Sequence, residues 1–515
     1  MATGSPVGKL ARQASPLFVG RVASTALTFV LPLALARLLD PSGFGTYKQL
    51  FLVSQTVLLV GQIGLSQSLY YFLPGGGRER GAYVVQTVGG LAFLAFFAGV
   101  ALWCGAPWLG GWLGDGTLAR LRTPLALLTA GTLAAAPIES ALLSEGRVGA
   151  AAVSYFANDA LRATALLVGA RSGGIVGLAW GAACYAGARV LILGLLLVGR
   201  VLPLATPSMA RFRAQLAYAL PFAGSVLLYV AQRQFAPYAV SAYVTPGLFA
   251  VYSVALFHLP VVDIVFAPIA EVLVMRLSQL RAAEQGSAAS TPEAAPAAVK
   301  GVPGGTRPAD GSVASLAEWD DAVDKLASVL WPGAVMGWLV GGQLLPLLFT
   351  HRYDTSVPLF FLATLELPMW VYPVDGLLRA RGDMRFLFVW NGVRAALTAG
   401  LVLAGIHLFG LSGAIGGGLV GEGLSRVVML RRGRRTLGVA RSLAAVPTLG
   451  PIGLATVLAA LPAAAVRYGR SGWGGIIGAG LVYGLCYLGL RLGWYYRTRR
   501  QAQAEAQLQA GAAGA

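Results

Sequence analysis

Six arginines, Arg21, Arg162, Arg189, Arg233, Arg394 and Arg491, lie inside long apolar stretches of the sequence. A guanidinium is permanently charged and its planar fork of donors matches the oxygens of a phosphate or carboxylate, so the chemistry these residues offer is anion recognition. An ionisable group within an apolar span is costly, which makes each of them a candidate functional group. Four carboxylates stand in comparable places, Asp263 and Glu271 in one stretch and Glu366 and Asp375 in another. None has a partner in its local sequence, and two readings stay open: a cross-helix pair with arginine, or a group that binds H+ or Na+. Two further pairs can close within one helix, Asp159 with Arg162 at i, i+3 and Glu422 with Arg426 at i, i+4.

Other chemistries lack the residues they need. The segment GAIGGGLVGEG, 413 to 423, contains G-x-G-x-x-G at Gly416, Gly418 and Gly421, but no strand precedes it. The same segment gives small-xxx-small spacing at Gly413, Gly417 and Gly421, which close helix packing explains. Gly8-Lys9 is followed by Leu10 where a P-loop needs Ser or Thr, so no ATPase is expected. His258, His351 and His407 have no metal-ligand spacing, and no G-x-S-x-G elbow occurs. Cys104, Cys184 and Cys486 sit singly in apolar stretches and suggest neither a disulfide framework nor a zinc site. The expectation is a protein that is not an enzyme and carries no cofactor.

The elements that must hold these charges are membrane helices. Of 515 residues 56% are apolar and 12% charged, with a mean hydropathy of +0.68, far from a soluble average. Many apolar stretches run for about 20 residues, the length that crosses a bilayer as helix. Backbone groups have no water to bond in lipid, so the fold class is an all-α polytopic membrane protein. Lys9 and Arg12 before an apolar run resemble a signal peptide, but the run from Leu17 to Leu39 is too long and offers no cleavage site, so it reads as an uncleaved first span. Fourteen candidate spans follow, from 15–37 to 472–494. With the N-terminus inside, the 39 Lys and Arg favour cytoplasmic loops by about threefold. The net charge of +18 is therefore mostly topology, with anionic lipid headgroups as partner and no module for nucleic acid. Residues 281–315, rich in Ala, Pro, Gly and Ser, read as a disordered cytoplasmic linker, and 501–515 as a disordered tail.

A shift of 205 positions places Pro16 on Pro221, Pro32 on Pro237, Pro41 on Pro246, Phe44 on Phe249 and Tyr47 on Tyr252. The repeating unit is six spans long, so its copies share one orientation, a parallel pseudo-repeat suited to alternating access. The division expected is an N-lobe over 1–213, a C-lobe over 214–430 and a two-span appendage over 431–500.

The run ARLLDPSGFGTY, with a second span closing in QIGLSQSLYYFLP, resembles the opening of bacterial polysaccharide flippases of the O-antigen (Wzx) type. These belong to the multidrug/oligosaccharidyl-lipid/polysaccharide exporter (MOP) superfamily. The resemblance implies movement of a polyprenyl-diphosphate-linked oligosaccharide from the cytoplasmic to the periplasmic leaflet of the inner membrane. It also implies possible coupling to an H+ or Na+ gradient and possible partners among polysaccharide polymerase and assembly proteins. In such a fold spans 1 and 7 line a central cavity. That ranks Arg233, flanked by Gln232 and Gln234, as first diphosphate contact and Arg21 as second, with Arg189 and Arg394 as further candidates. Arg21 and Arg491 also lie close enough to the cytoplasmic face to snorkel. Gln55, Gln62, Gln67 and Asn391 suit either sugar hydroxyls or helix-helix bonds. The alternatives on the same fold are a lipid II flippase-like protein and a multidrug or organic-cation antiporter. An organic-cation site would need an acidic lobe, and span 1 contains no acid.

Overall fold

The chain, represented by a computed structural model, is described over residues 23–75, 77–200, 207–257, 261–289 and 310–513. Every regular element among the described residues is helical. Two compact units divide it, one of Met1–Val254 with Leu348–Tyr353, the other of Ala255–Leu347 with Asp354–Ala515.

The first unit opens with α1 (Ala23–Leu38) and α2 (Pro41–Gly61). The turn between them follows from its residues: Asp40 caps α2 by accepting from the Gly43 amide at 3.3 Å, and Pro41 takes the first helical position, where no amide is needed. A break with positive φ at Ile63 and Gly64 bends the chain by 42° into α3 (Leu65–Gly75). Next come α4 (Arg80–Trp112), α5 (Gly116–Arg120), α6 (Arg122–Ala134), α7 (Pro137–Ser144) and α8 (Val148–Arg200). Then α9 (Met209–Tyr243) packs on α2, α3 and α4, and α10 (Pro246–Ala255) follows. Gln49 ties these elements at the core, donating to the Leu113 carbonyl at 3.0 Å and to Ser241 Oγ at 2.9 Å.

The second unit contains α11 (Val261–Ala289), α12 (Asp310–Phe349), α13 (Ser356–Thr364), α14 (Val374–Ala380), α15 (Met384–Leu437), α16 (Leu449–Gly469) and α17 (Gly472–Ala513). Its anchor is Trp319, fully buried, whose indole donates to the Leu443 carbonyl at 3.0 Å. The expected linker is shorter than its composition suggests: α11 runs through 281–289, α12 opens at Asp310, and residues 290–309 lie outside the described set. Ala, Glu, Gln and Arg are strong helix formers and extend both helices. For the same reason the alanine- and glutamine-rich stretch after Gln501, expected to be structureless, continues α17 to Ala513.

Eight helices are long and apolar enough to cross a membrane among the described residues, and two bent pairs bring this to ten. Two of the eight are hairpins. Helix α8 leaves helical geometry at Gly173 and Gly174, and α15 at Gly410. The arms then fold back in contact: a Cβ added to Gly169 would overlap the Gly177 carbonyl, and one on Gly181 the Ala165 carbonyl. In α15 the same holds for Gly405 against Gly413, and for Gly417 against the Leu401 carbonyl. The glycines at 413, 417 and 421 are therefore packing residues, as their spacing indicates. Counting both arms of each hairpin and the short apolar helices α1 and α10 is consistent with about fourteen spans.

The internal repeat is visible in backbone conformation. Gly114 and Thr350, Gly146 and Gly382, and Gly174 and Gly410 all have positive φ, and each pair is 236 positions apart. Gly174 has φ 56° and ψ −137°, and Gly410 has φ 62° and ψ −139°. Across the first two spans of each copy the offset is 205, and there Phe44, Phe249, Tyr47 and Tyr252 are all buried. The two proline turns of the repeat, at Pro41 and Pro246, meet inside the first unit, with Gly45 so close to the Pro246 carbonyl that a side chain would collide with it.

Candidate intramembrane charge sites

A polar cluster in the first unit joins α1, α7 and both arms of α8. Arg162 pairs with Asp159 at 3.0 Å, as the i, i+3 spacing anticipates, and donates to Thr28 Oγ1 at 3.2 Å. Ser24 donates to the same Asp159, and Tyr185 donates to Asn158 at 2.7 Å. Arg189 is buried against Glu139, its two terminal nitrogens at 2.5 and 3.1 Å from the carboxylate oxygens. It also donates to the Ala135 carbonyl at 3.1 Å, and Ser154 donates to Glu139 at 3.0 Å.

The second unit repeats the device. Arg426 pairs with Glu422 at 2.7 Å, the expected i, i+4 contact, lies 3.9 Å from Asp375, and donates to the Tyr372 carbonyl at 2.6 Å. Arg394 pairs with the other oxygen of Glu422 at 2.9 Å. Pro137 and Pro373 stand 236 positions apart, each where the fourth span of its copy breaks, and an acid follows two residues later, Glu139 or Asp375. In each copy an arginine from the sixth span satisfies a carbonyl beside the break and pairs with that acid. Broken backbone inside a membrane must find such partners.

These networks reassign several expected contacts. Arg189, Arg394 and Asp375 are held in ion pairs whose carboxylates and guanidinium groups balance, so neither cluster presents surplus cation. Glu366 accepts from the Trp370 indole at 3.1 Å. Arg491 donates to Ser328 at 2.9 Å and pairs with Asp324 at 3.3 Å. Arg21 lies outside the described residues, as does the side chain of Asp263 on α11.

The remaining candidates stand apart from both networks. Arg233 is exposed on α9 and makes no ion pair among the described residues, with Gln232 and Gln234 half-buried on either side. Glu271 on α11 is likewise exposed and without an ion-pair partner there. The structure adds Lys48, half-buried on α2, with its ammonium 5.4 Å from the centre of the Phe44 ring and 5.6 Å from that of Tyr47. No described carboxylate pairs with it. Helix α2 begins seven residues before it and carries it into the span. Contacts of Gln49 with Ser241 and Tyr238 with the Leu52 carbonyl fix the antiparallel register of α2 and α9. In that register Lys48 and Arg233 lie about 13 Å apart in height.

No protein-family profile matches the sequence, and no curated protein matches it. Solved structures do. The lipid II flippase MurJ in an inward closed conformation is similar with a TM-score of 0.65 at 11% identity, over 94% of this chain and 99% of that one. An inward-facing multidrug resistance MATE family transporter of the MOP superfamily gives 0.59 at 15%, over 81% and 94%. A MOP superfamily transporter from Pyrococcus furiosus with reversed polarity of its binding pocket gives 0.52 at 15%, over 83% and 95%. The fold is that of these polytopic helical proteins.

Proposed function

We propose that the chain is a flippase of the MOP type that carries a polyprenyl-diphosphate-linked oligosaccharide from the cytoplasmic to the periplasmic leaflet of the bacterial inner membrane, with both termini cytoplasmic. The observation that carries this reading is the charge balance within the spans. Both buried clusters neutralise themselves, while Lys48 and Arg233 remain on packed helices as cations that no described carboxylate neutralises. A diphosphate crossing a low-dielectric region needs such groups, and two at different heights offer successive holds. Coupling to an H+ or Na+ gradient is assigned to Glu271, the exposed carboxylate on α11. The similarity to a lipid II flippase supports a lipid-linked anionic cargo, and the similarity to multidrug transporters defines the competing one.

The test is translocation of a fluorescent polyprenyl-diphosphate oligosaccharide in proteoliposomes. Wild type moves the lipid, Arg233→Ala reduces the rate by about tenfold or more, the loss expected of a charge-assisted contact, and Arg233→Lys restores part of it. Glu271→Gln abolishes acceleration by an imposed ion gradient and leaves the gradient-free rate unchanged. A wild type that moves no lipid-linked sugar but exchanges an organic cation for protons refutes the proposal.

A further inference from the structure

Two arginines are buried among the described residues, Arg189 and Arg467, each 8% exposed. Arg189 is satisfied by the Glu139 carboxylate and the Ala135 carbonyl. Arg467, in the last turn of α16, has neither an ion pair nor a hydrogen bond among the described residues. Its Nε is sealed from solvent and without a partner. The terminal nitrogens bond nothing either but are not sealed, so they are the part of the guanidinium that faces outward. The guanidinium carbon lies 6.0 Å from the ring of Tyr468, itself 85% exposed, at the outer limit of a cation–π contact. A desolvated cation that bonds nothing is too costly to stand alone. The dipole of α16 favours a cation at this end, but it offsets only a fraction of that cost.

The surroundings ask for an anion. Arg470, three residues on, is exposed and also makes no ion pair among the described residues. Helix α17 opens two residues later at Gly472, and its first turn, GWGG, carries backbone amides that have no partner inside the helix. The start of α17 backs onto the end of α16: a Cβ on Gly475 would overlap the Arg470 carbonyl, and one on Gly478 would press on Val466, so Arg467 stands between the two points of contact. A Cβ on Gly472 or Gly474 would meet nothing within 4 Å, which leaves room beside those amides. No acid neutralises the place, since the sequence has no Asp or Glu from Gly423 to Ala504, or from Lys325 to Tyr353 at the end of α12. Helix α16 starts beside the arginine-rich end of α15 and spans, so Arg467 and Arg470 lie at the opposite membrane surface, where few cations are expected. Tyr468 and the half-exposed Trp473 flank them, as aromatic side chains do at headgroup depth. Two guanidinium forks and a row of free amides exceed what the two oxygens of a carboxylate can accept, and they suit the oxygens of a phosphate.

We propose that the turn from α16 into α17 binds a phosphate group, held by Arg467, Arg470 and the first amides of α17, and supplied by a phospholipid headgroup or by free phosphate.

Melting temperatures of the full chain in neutral detergent test it, taken without phosphate, with inorganic phosphate, and with phosphatidylglycerol in the micelles. Sodium chloride at matched ionic strength and phosphatidylcholine are the controls. Without phosphate, Arg467→Gln melts at or above wild type, because it removes an unpaired buried cation. About a hundredfold excess of ligand over Kd raises the wild-type melting temperature by about 2–3 °C. Arg467→Gln and the exposed Arg470→Gln rise by less than half as much, while Arg434→Gln, at the other membrane surface, responds as wild type does. A shift with inorganic phosphate identifies the free anion as a ligand, and a shift with phosphatidylglycerol alone identifies the lipid. No shift of wild type with either, or shifts as large in both variants, overturns the proposal. So does a phosphate-free Arg467→Gln that melts well below wild type, since the guanidinium would then have its partner within the protein.

Discussion

Arg189 and Glu139 are separated by 50 positions, and neither segment announces the other. The pairs at i, i+3 and i, i+4 are legible because the helix itself brings them together, whereas this one exists only once the fourth and sixth spans of the repeat have packed. Its purpose is also invisible in sequence, since the carbonyl it satisfies belongs to a break at Pro137. The consequence is a sharp contrast with Arg233. Arg189→Met leaves Glu139 buried without its cation, a change that costs about 3–5 kcal/mol, and adding Glu139→Gln recovers most of it. Arg233→Ala, at an exposed position, changes stability by no more than about 0.5 kcal/mol while, on the proposed function, it lowers the translocation rate by about tenfold or more. Denaturation of the purified proteins in detergent, compared with their flipping rates, separates the two roles. Equal losses of stability would mean that Arg233 is a packing residue. Lys48 marks the opposite limit of sequence reading: it follows directly on the run ARLLDPSGFGTY, and only the cap at Asp40 shows that α2 already carries it two turns into the helix.

At the scale of elements, glycine spacing is the part of the sequence that translates most directly into structure. Gly413, Gly417 and Gly421 recur every four residues on the returning arm of α15, and the first arm, at Gly405, Leu401 and Thr398, occupies the space their missing side chains leave. Without a hydrophobic force between helices in lipid, close backbone approach supplies the packing energy, so a single methyl group matters. Gly405 and Gly400 lie on the same arm and test this. A Cβ on Gly405 collides with the Gly413 carbonyl, while one on Gly400 meets nothing within 4 Å. Gly405→Ala is expected to destabilise by about 1–3 kcal/mol. Gly400→Ala is neutral or stabilising by up to about 1 kcal/mol, the helix-propensity difference. Melting temperatures in detergent distinguish them, and equal shifts would show that the arms do not touch. Helix ends are less legible. Composition makes 281–315 look structureless, but propensity carries α11 and α12 into it from both sides, and only the backbone shows how far.

The whole molecule is organised by a repeat whose register changes along the chain. Sequence alone reveals the offset of 205 across the first two spans of each copy, where prolines survive as markers. Beyond that point the marker is backbone conformation: Gly114 matches Thr350 in φ although the residue types differ, so no comparison of letters finds it. The offset there is 236, which places 31 extra residues between the second and third spans of the second copy. In the first copy the same connection is made between Gly75 and Arg80, within a few residues. The architecture therefore does not require the added length, and loop length itself costs little free energy either way. Deleting residues 290–309 removes most of the insertion while keeping α11 and α12 whole. The shortened protein should melt within about 3 °C of wild type, the shift that about 1 kcal/mol produces in a domain of a few hundred residues, and, on the proposed function, should translocate the lipid-linked oligosaccharide at an unchanged rate. A stable protein that no longer transports would instead make the insertion part of the transport cycle, and a protein that fails to fold would show that the second copy, unlike the first, cannot close its second and third spans through a short connection.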